Sequence, residues 1–357
     1  MMPSLLLACA RGAAASRVLT RSLSSLPPFP RAADYPAVPP PPAQPANFVS
    51  ASPFAELRGA RHGARHRTVK HAGRVPSRDV PMSIARPPYA RAVNAQQPEG
   101  YPEPEVHDAR SAAAMRAASA IAADVLAHVG ALMVPGVSGD QIDDFVYRAT
   151  LARGAYPSPL GYMGFPRSVC VSTNEVVCHG IPDASVLRAG DVVSVDVSVF
   201  IDGVHGDTCR TWIVGGDAAG DARARALVAE TLAALDAAVA VCGPGVPISR
   251  IGDVIAPRAA AARCSIIDAF AGHGVGSVFH TQPIVRHALN ESPYVMREGM
   301  TFTIEPIFAE GADSISLWAD GWAVVTDDGG RGAQFEHTLL VTPHGVDVLT
   351  KWPDADR

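Results

Sequence analysis

Acids stand where burial is expected. In VSVDVSVFIDGVHGDTC, residues 193–209, apolar residues alternate at Val193, Val195, Val197 and Val199, the pattern of a half-buried strand. The other face carries Ser194, Asp196 and Ser198, and a second acid, Asp207, follows eleven residues after the first. Asp202-Gly203 is a dipeptide favoured in two-residue type I′ turns, where both central residues need φ > 0. A hairpin closed there sets Asp207 opposite Ser198, which shares a face with Asp196. The carboxylates become diagonal neighbours, roughly 7–8 Å apart at Cβ. That is close enough to share a metal ion or a proton. An exposed hairpin with solvated acids fits the same pattern.

Three more residues are of ligand type. His273 lies between glycines in GHGVG (272–276), where backbone can come close to another group. Glu305 stands in FTIEP (302–306) and Glu336 in QFEHTLLVT (334–342), each an acid in a strand-like run. Singly, each reads equally well as a cap, a turn histidine or a surface acid. Together, Asp196, Asp207, His273, Glu305 and Glu336 give four carboxylates and one imidazole. Four carboxylates in one cleft repel unless cations sit among them, and two divalent ions balance the charge. Oxygen-rich ligation with one imidazole suits Co, Mn, Fe or Zn.

These residues need elements to position them. Met115, Ala118, Ala122, Val125, Val129 and Leu132 trace a helical stripe ending before Pro135-Gly136. Ser138-Gly139-Asp140-Gln141 is a capping-box pattern opening a second helix, with Ile142, Phe145, Val146 and Ala149 inward. The plan recurs 109 residues later: an Ala-rich helix (about 220–242), Pro244-Gly245-Val246, then a helix with Ile251 and Asp253. Strand-like segments, 167–178 and 274–286, follow each helix pair. This predicts two related α+β halves facing each other across a cleft.

Composition sets the outer limits. Of 357 residues, 48% are hydrophobic and 18% charged, enough for a large core. Residues 1–109 hold 13 Lys+Arg against 7 Asp+Glu, while residues 110–357 hold 17 against 28. The acidic part argues against nucleic acid as a ligand. The basic part carries 18 of the 31 prolines and no sustained apolar period, so residues 34–101 are expected to be a Pro-rich extension with structure beginning near 102. Residues 1–33 hold four arginines, several serines and no acid, the composition of an organelle transit peptide. No apolar run reaches the ~20 residues of a membrane span. The six cysteines form no CxxC pair, so reduced thiols in an organelle matrix are expected.

Over roughly residues 102–354 the chain resembles the type I methionine aminopeptidases, organellar form, of the pita-bread metallopeptidase family. The resemblance rests on NEVVCHGIPD (174–183), VDVSVFIDGVHGDT (195–208), GHGVG, GMTFTIEP (299–306) and QFEHTLLVT. It implies an α+β pita-bread fold, two related halves around a curved antiparallel sheet. It implies that Asp196, Asp207, His273, Glu305 and Glu336 bind two divalent metals, with Asp207 and Glu336 bridging. His179 and His280 match histidines beside the scissile bond, and with Glu305 they form the implied catalytic set. Tyr162, Phe165, Cys170, Phe279 and Trp322 match the methionine side-chain pocket. Ser198 stands where threonine is frequent and Gly332 where serine is frequent. The implied activity is hydrolysis of N-terminal methionine from nascent proteins with a small second residue. The implied setting is the mitochondrial matrix or plastid stroma, at the organellar ribosome, with a monomeric enzyme and no membrane or nucleic-acid partner.

Two alternatives stand beside this. Proline-specific aminopeptidases share the fold and all five ligands but normally carry a folded N-terminal domain, which residues 1–101 are too aperiodic to supply. A catalytically dead relative acting as a binding module would have lost ligands, and this chain has lost none. Type II enzymes insert a subdomain between the last two glutamates, for which the interval from Glu305 to Glu336 leaves no room.

Overall fold

The computed structural model describes residues 78–91 and 102–352. The stripe from Met115 forms α1 (Ala109–Val129), capped by Asp108, whose carboxylate accepts from the Ser111 N–H. Helix α2 (Gly139–Ala152) opens on the expected capping box, Ser138 and Gln141 each bonding the other's backbone. Their apolar stripes are buried throughout. With the 3₁₀ turn that extends it to Leu132, α1 is long and apolar enough to cross a membrane. Its stripe nevertheless packs against strands in the protein core.

The first half supplies β1 (Tyr156–Pro157), β2 (Cys170–Thr173), β3 (Val176–Cys178), β4 (Val192–Ile201) and β5 (Val204–Ile213). Helices α3 (Ala222–Ala240) and α4 (Arg250–Ala262) open the second half. They lead to β6 (Ser265–Ile266), β7 (Gly272–Gly274), β8 (Thr281–Val285), β9 (Thr301–Ile304) and β10 (Ile307–Ala309). Strands β11 (Ile315–Leu317), β12 (Val324–Thr326), β13 (Gly332–Gln334), β14 (Glu336–Thr342) and β15 (Gly345–Val348) complete the described chain. The main sheet is antiparallel, ordered β1-β4-β5-β14-β9-β7-β8, with β2 also on β4 and β15 on β14. Strand β14 joins the halves, pairing with β5 on one side and β9 on the other. The fold is α+β, as expected.

Two expectations of geometry hold. Asp202 and Gly203 have φ of 52° and 86°, and Ser198 lies opposite Asp207 across the β4–β5 hairpin. Val193, Val195, Val197 and Val199 are fully buried, each worth roughly 1.5–3 kcal/mol. A one-residue slip would turn all four to the other face, so the valines fix the register of the acids. The repeat also has a physical counterpart. Ser138 bridges Val186 and Pro247 bridges Val295. The Gly136 N–H donates to the Leu187 carbonyl, and the Gly245 N–H to that of Met296. All these pairs are offset by 109 residues, and so are Asp196 and Glu305.

The expected start of structure near residue 102 needs correcting. Residues 78–91 lie along the first half as a strap. Arg78 pairs with the fully buried Asp143 and, at 3.1 Å, with Asp144. Val80 joins Tyr156, Leu160 and Phe200 in a small apolar cluster. The segment has no periodic face because it builds no core of its own; it covers one that is already folded. The expected transit peptide, 1–33, and the rest of the expected extension, 34–77 and 92–101, lie outside the described residues.

Candidate metal centre

The unusual face of β4 is turned toward the other half. Asp196 sits at its centre, opposite Cys209 on β5 and Cys170 on β2. Asp207, only 4% exposed, accepts from the Ser198 hydroxyl at 2.7 Å. That burial rules out a hairpin of solvated acids. From the second half, β7 brings His273, whose Nε2 is 3.7 Å from Asp207 Oδ2 and 3.5 Å from Glu305 Oε1. The His273 Nδ1 lies 3.1 Å from the Gly274 carbonyl. A carbonyl only accepts, so Nδ1 carries the proton and Nε2 offers a lone pair to the acids. Glu305, just past β9, accepts from Thr303 Oγ1 at 2.9 Å and Gln334 Nε2 at 3.2 Å. Glu336 opens β14 and is buried.

Donor atoms of Asp207, His273 and Glu336 lie within 4.8 Å of one another. Asp196 Oδ1 is buried with no hydrogen-bond partner. An orphaned carboxylate oxygen beside such a donor set is what a divalent cation satisfies, so these residues fit a metal.

Burial pushes the carboxyls up, Asp207 to about 6 and Glu305 to about 8, and Asp196 and Glu336 well above their ordinary range. Negative charge on neighbouring acids adds to the shift of Glu305, Asp196 and Glu336. Glu305, raised from 4.5, contributes stability that is complete below that value and lost as pH rises through about 8. Buried imidazoles act at lower pH: His273 and His179, pulled from 6.5 to about 4 by burial, cost stability as pH falls below 6.5. Between pH 6.5 and 8 the carboxylates therefore dominate. Chelator-treated protein is expected to melt at progressively lower temperature across that window, losing ~1.4 kcal/mol per pH unit for each proton released. Added Mn²⁺ or Co²⁺ should restore the loss. A melting temperature that stays flat in chelator and ignores both ions would contradict a repelling acid cluster.

Beside the acids opens a cavity of about 280 Å³. Every residue singled out from the sequence as a site candidate lines it: the four acids and one imidazole above, His179, His280, Tyr162, Phe165, Cys170, Phe279 and Trp322. Phe165 meets Trp322 edge-on at 5.1 Å, and Tyr162 meets Phe279 edge-on at 4.9 Å. His179, at φ 52°, lies edge-on to Phe270 and Trp322. The His280 ring lies 4.1 Å from that of His273 and 4.2 Å from that of Phe279. Burial raises the Cys170 and Cys178 thiols well above their ordinary range, so the pocket sulfurs stay neutral.

Other residues were not singled out from the sequence. His287 Nε2 accepts from the Glu305 N–H at 3.0 Å and is fully buried. Met163, Cys178 and Phe270 also line the cavity. His205 sits inside an aromatic stack, and Gln334 could have been suspected only from lying two residues before Glu336. Gly332 is explained by Val177, whose Cγ1 would lie 2.4 Å from an added Cβ.

Residues 113–343 match the model of metallopeptidase family M24. Methionine aminopeptidase 1D, chloroplastic/mitochondrial, of Arabidopsis thaliana is 45% identical over 77% of this chain and 77% of its own length. Methionine aminopeptidase 1D, mitochondrial, of Danio rerio is 40% identical over 82% of this chain and 85% of its own. Among solved structures, methionine aminopeptidase from Rickettsia prowazekii superposes with a TM-score of 0.67 at 36% identity, covering 70% of this chain and 100% of that one.

Proposed function

The chain belongs to metallopeptidase family M24, and on that premise we propose that it is an organellar methionine aminopeptidase. It would remove N-terminal methionine from nascent polypeptides with a small second residue, using two divalent ions. The observation carrying this reading is the conjunction of a largely buried four-carboxylate, one-imidazole set with an apolar, sulfur-bearing pocket. Sulfur–aromatic contacts favour a flexible thioether over a branched alkyl group.

Asp196, Asp207, His273, Glu305 and Glu336 would hold the ions. Bound there, they supply Lewis-acid polarisation of the scissile carbonyl and lower the pKa of water. Glu305, oriented by Thr303 and Gln334, takes the proton of the attacking water at its carboxylate and returns it to the departing amine. His179, neutral at pH 7 because burial holds it at about 4, donates its N–H to the carbonyl oxygen as charge develops. His280 faces the same space from the other half and orients the amide. The rings of Tyr162, Phe165, Phe279 and Trp322 exclude water from the side-chain slot.

Met-Ala-Ser should be cleaved faster than Leu-Ala-Ser, by ~10–200-fold, the discrimination a pocket achieves for a small change in an apolar side chain. Norleucine should leak through. Preference for Ala-Pro over Met-Ala substrates would instead support the proline-specific alternative. We place the enzyme in a mitochondrial matrix or plastid stroma, as a monomer acting on chains leaving the organellar ribosome. The relatives' names and the composition of residues 1–33 support an organelle. Imaging a reporter fused to residues 1–60 tests this, and a diffuse cytosolic signal would overturn it.

A further inference from the structure

Tyr89 lies in the strap, on a 3₁₀ turn (Pro88–Ala90), and is 6% exposed. Its hydroxyl donates to the Ser158 carbonyl at 2.6 Å. Its ring meets Tyr162 edge-on at 5.2 Å and lies nearly parallel to His205 at 6.2 Å. His205 in turn stacks on Phe279 at 4.9 Å with planes 6° apart, and its Nδ1 is 2.9 Å from Ser158 Oγ. Tyr89 does not line the cavity. It backs two residues that do: Tyr162 directly, and Phe279 through His205.

The loop carrying Tyr162 needs such backing. Gly161, Met163 and Gly164 have φ of 80°, 46° and 86°, and the segment forms only a short 3₁₀ turn. Local hydrogen bonds link Gly161 and Tyr162 to Phe165, with no strand ladder or α-helix to hold the ring in place. Packing from outside must do that. The strap supplies it, held upstream by Arg78 on Asp143 and by Val80 against Leu160 and Phe200.

We propose that residues 78–91 are a positioning strap, with Tyr89 at its centre, that sets the side-chain selectivity of the pocket by fixing Tyr162 and, through His205, Phe279. The inference deepens the methionine-pocket reading and rests on it. It follows that any processed form able to discriminate its substrates retains the chain from residue 78 onward.

The test compares the full chain with Tyr89→Ala and Tyr89→Phe, using two readouts. One is the ratio of kcat/KM for Met-Ala-Ser to that for Leu-Ala-Ser. The other is the rate at which iodoacetamide alkylates Cys170, a buried pocket thiol, read by peptide mass in chelator-treated protein. Tyr89→Ala should lower the ratio at least tenfold, mainly through KM for the methionyl peptide, and speed alkylation at least tenfold. Tyr89→Phe keeps the ring, so both readouts should stay near wild type even if the lost hydroxyl lowers Tm. Tyr89→Leu, which keeps apolar volume without the ring, replaces the alanine variant if that one does not fold. A folded Tyr89→Ala or Tyr89→Leu chain with selectivity within twofold of wild type overturns the proposal, whatever its Tm. If wild type shows no methionine preference, the functional reading fails by itself, and unchanged Cys170 reactivity then overturns the strap as well.

Discussion

Asp207→Asn is expected to lower bound metal and turnover together, each by more than about 100-fold in affinity or kcat/KM. Loss of an outer partner of a metal ligand already costs ~10–100-fold, and here a proposed ligand itself would lose its charge. Asp207 is buried, is bonded by Ser198 on its own hairpin, and faces His273 from the other half. Asparagine keeps the shape and the Ser198 contact, so folding should survive. What changes is the charge balance, since four carboxylates become three. Added metal should therefore restore little. Metal content by elemental analysis, together with Met-Ala-Ser kinetics on both proteins, checks this. Normal metal stoichiometry with full activity in the variant would remove Asp207 from the centre.

Glu305→Gln should reduce kcat by ~10²–10⁴-fold, the usual contribution of a positioned proton-transfer group. KM for the methionyl peptide should barely move, because the side-chain slot lies on other residues. The amide can still accept from Gln334 and can donate to the Thr303 hydroxyl, so the geometry of its two hydrogen bonds survives. Assays at saturating metal separate the lost proton acceptor from weakened ligation. A metal-saturated variant with kcat within tenfold of wild type would show that Glu305 moves no proton in the slow step.

The acids that line the candidate site were legible because local rules converge on them. Val193 to Val199 give the period, Asp202-Gly203 gives the turn, and together they set Ser198 against Asp207 without reference to the rest of the chain. The offset of 109 residues foretold two halves and set Asp196 and Glu305 at equivalent places in each. What escaped the sequence depends on distant contacts. Arg78 meets a partner 65 residues away, and Tyr89 one 69 residues away, in a segment with no period of its own. His287 sits in ordinary surroundings along the chain and His205 lies two residues before Asp207, but only tertiary packing brings one to the Glu305 N–H and the other between Tyr89 and Phe279. The left-handed Met163 lining the cavity was equally silent, because a methionine between a tyrosine and a glycine does not announce positive φ.

The most direct measurement titrates the chelated full chain with Co²⁺ or Mn²⁺ while methionine release from Met-Ala-Ser and bound metal are followed together. A metal-dependent methionyl exopeptidase built on Asp196, Asp207, His273, Glu305 and Glu336 should release nothing in chelator. It should recover activity with ion binding and saturate at about two ions per chain, the number that balances four carboxylates. Full methionine release from the metal-free chain, or stoichiometric binding with no release, would contradict it.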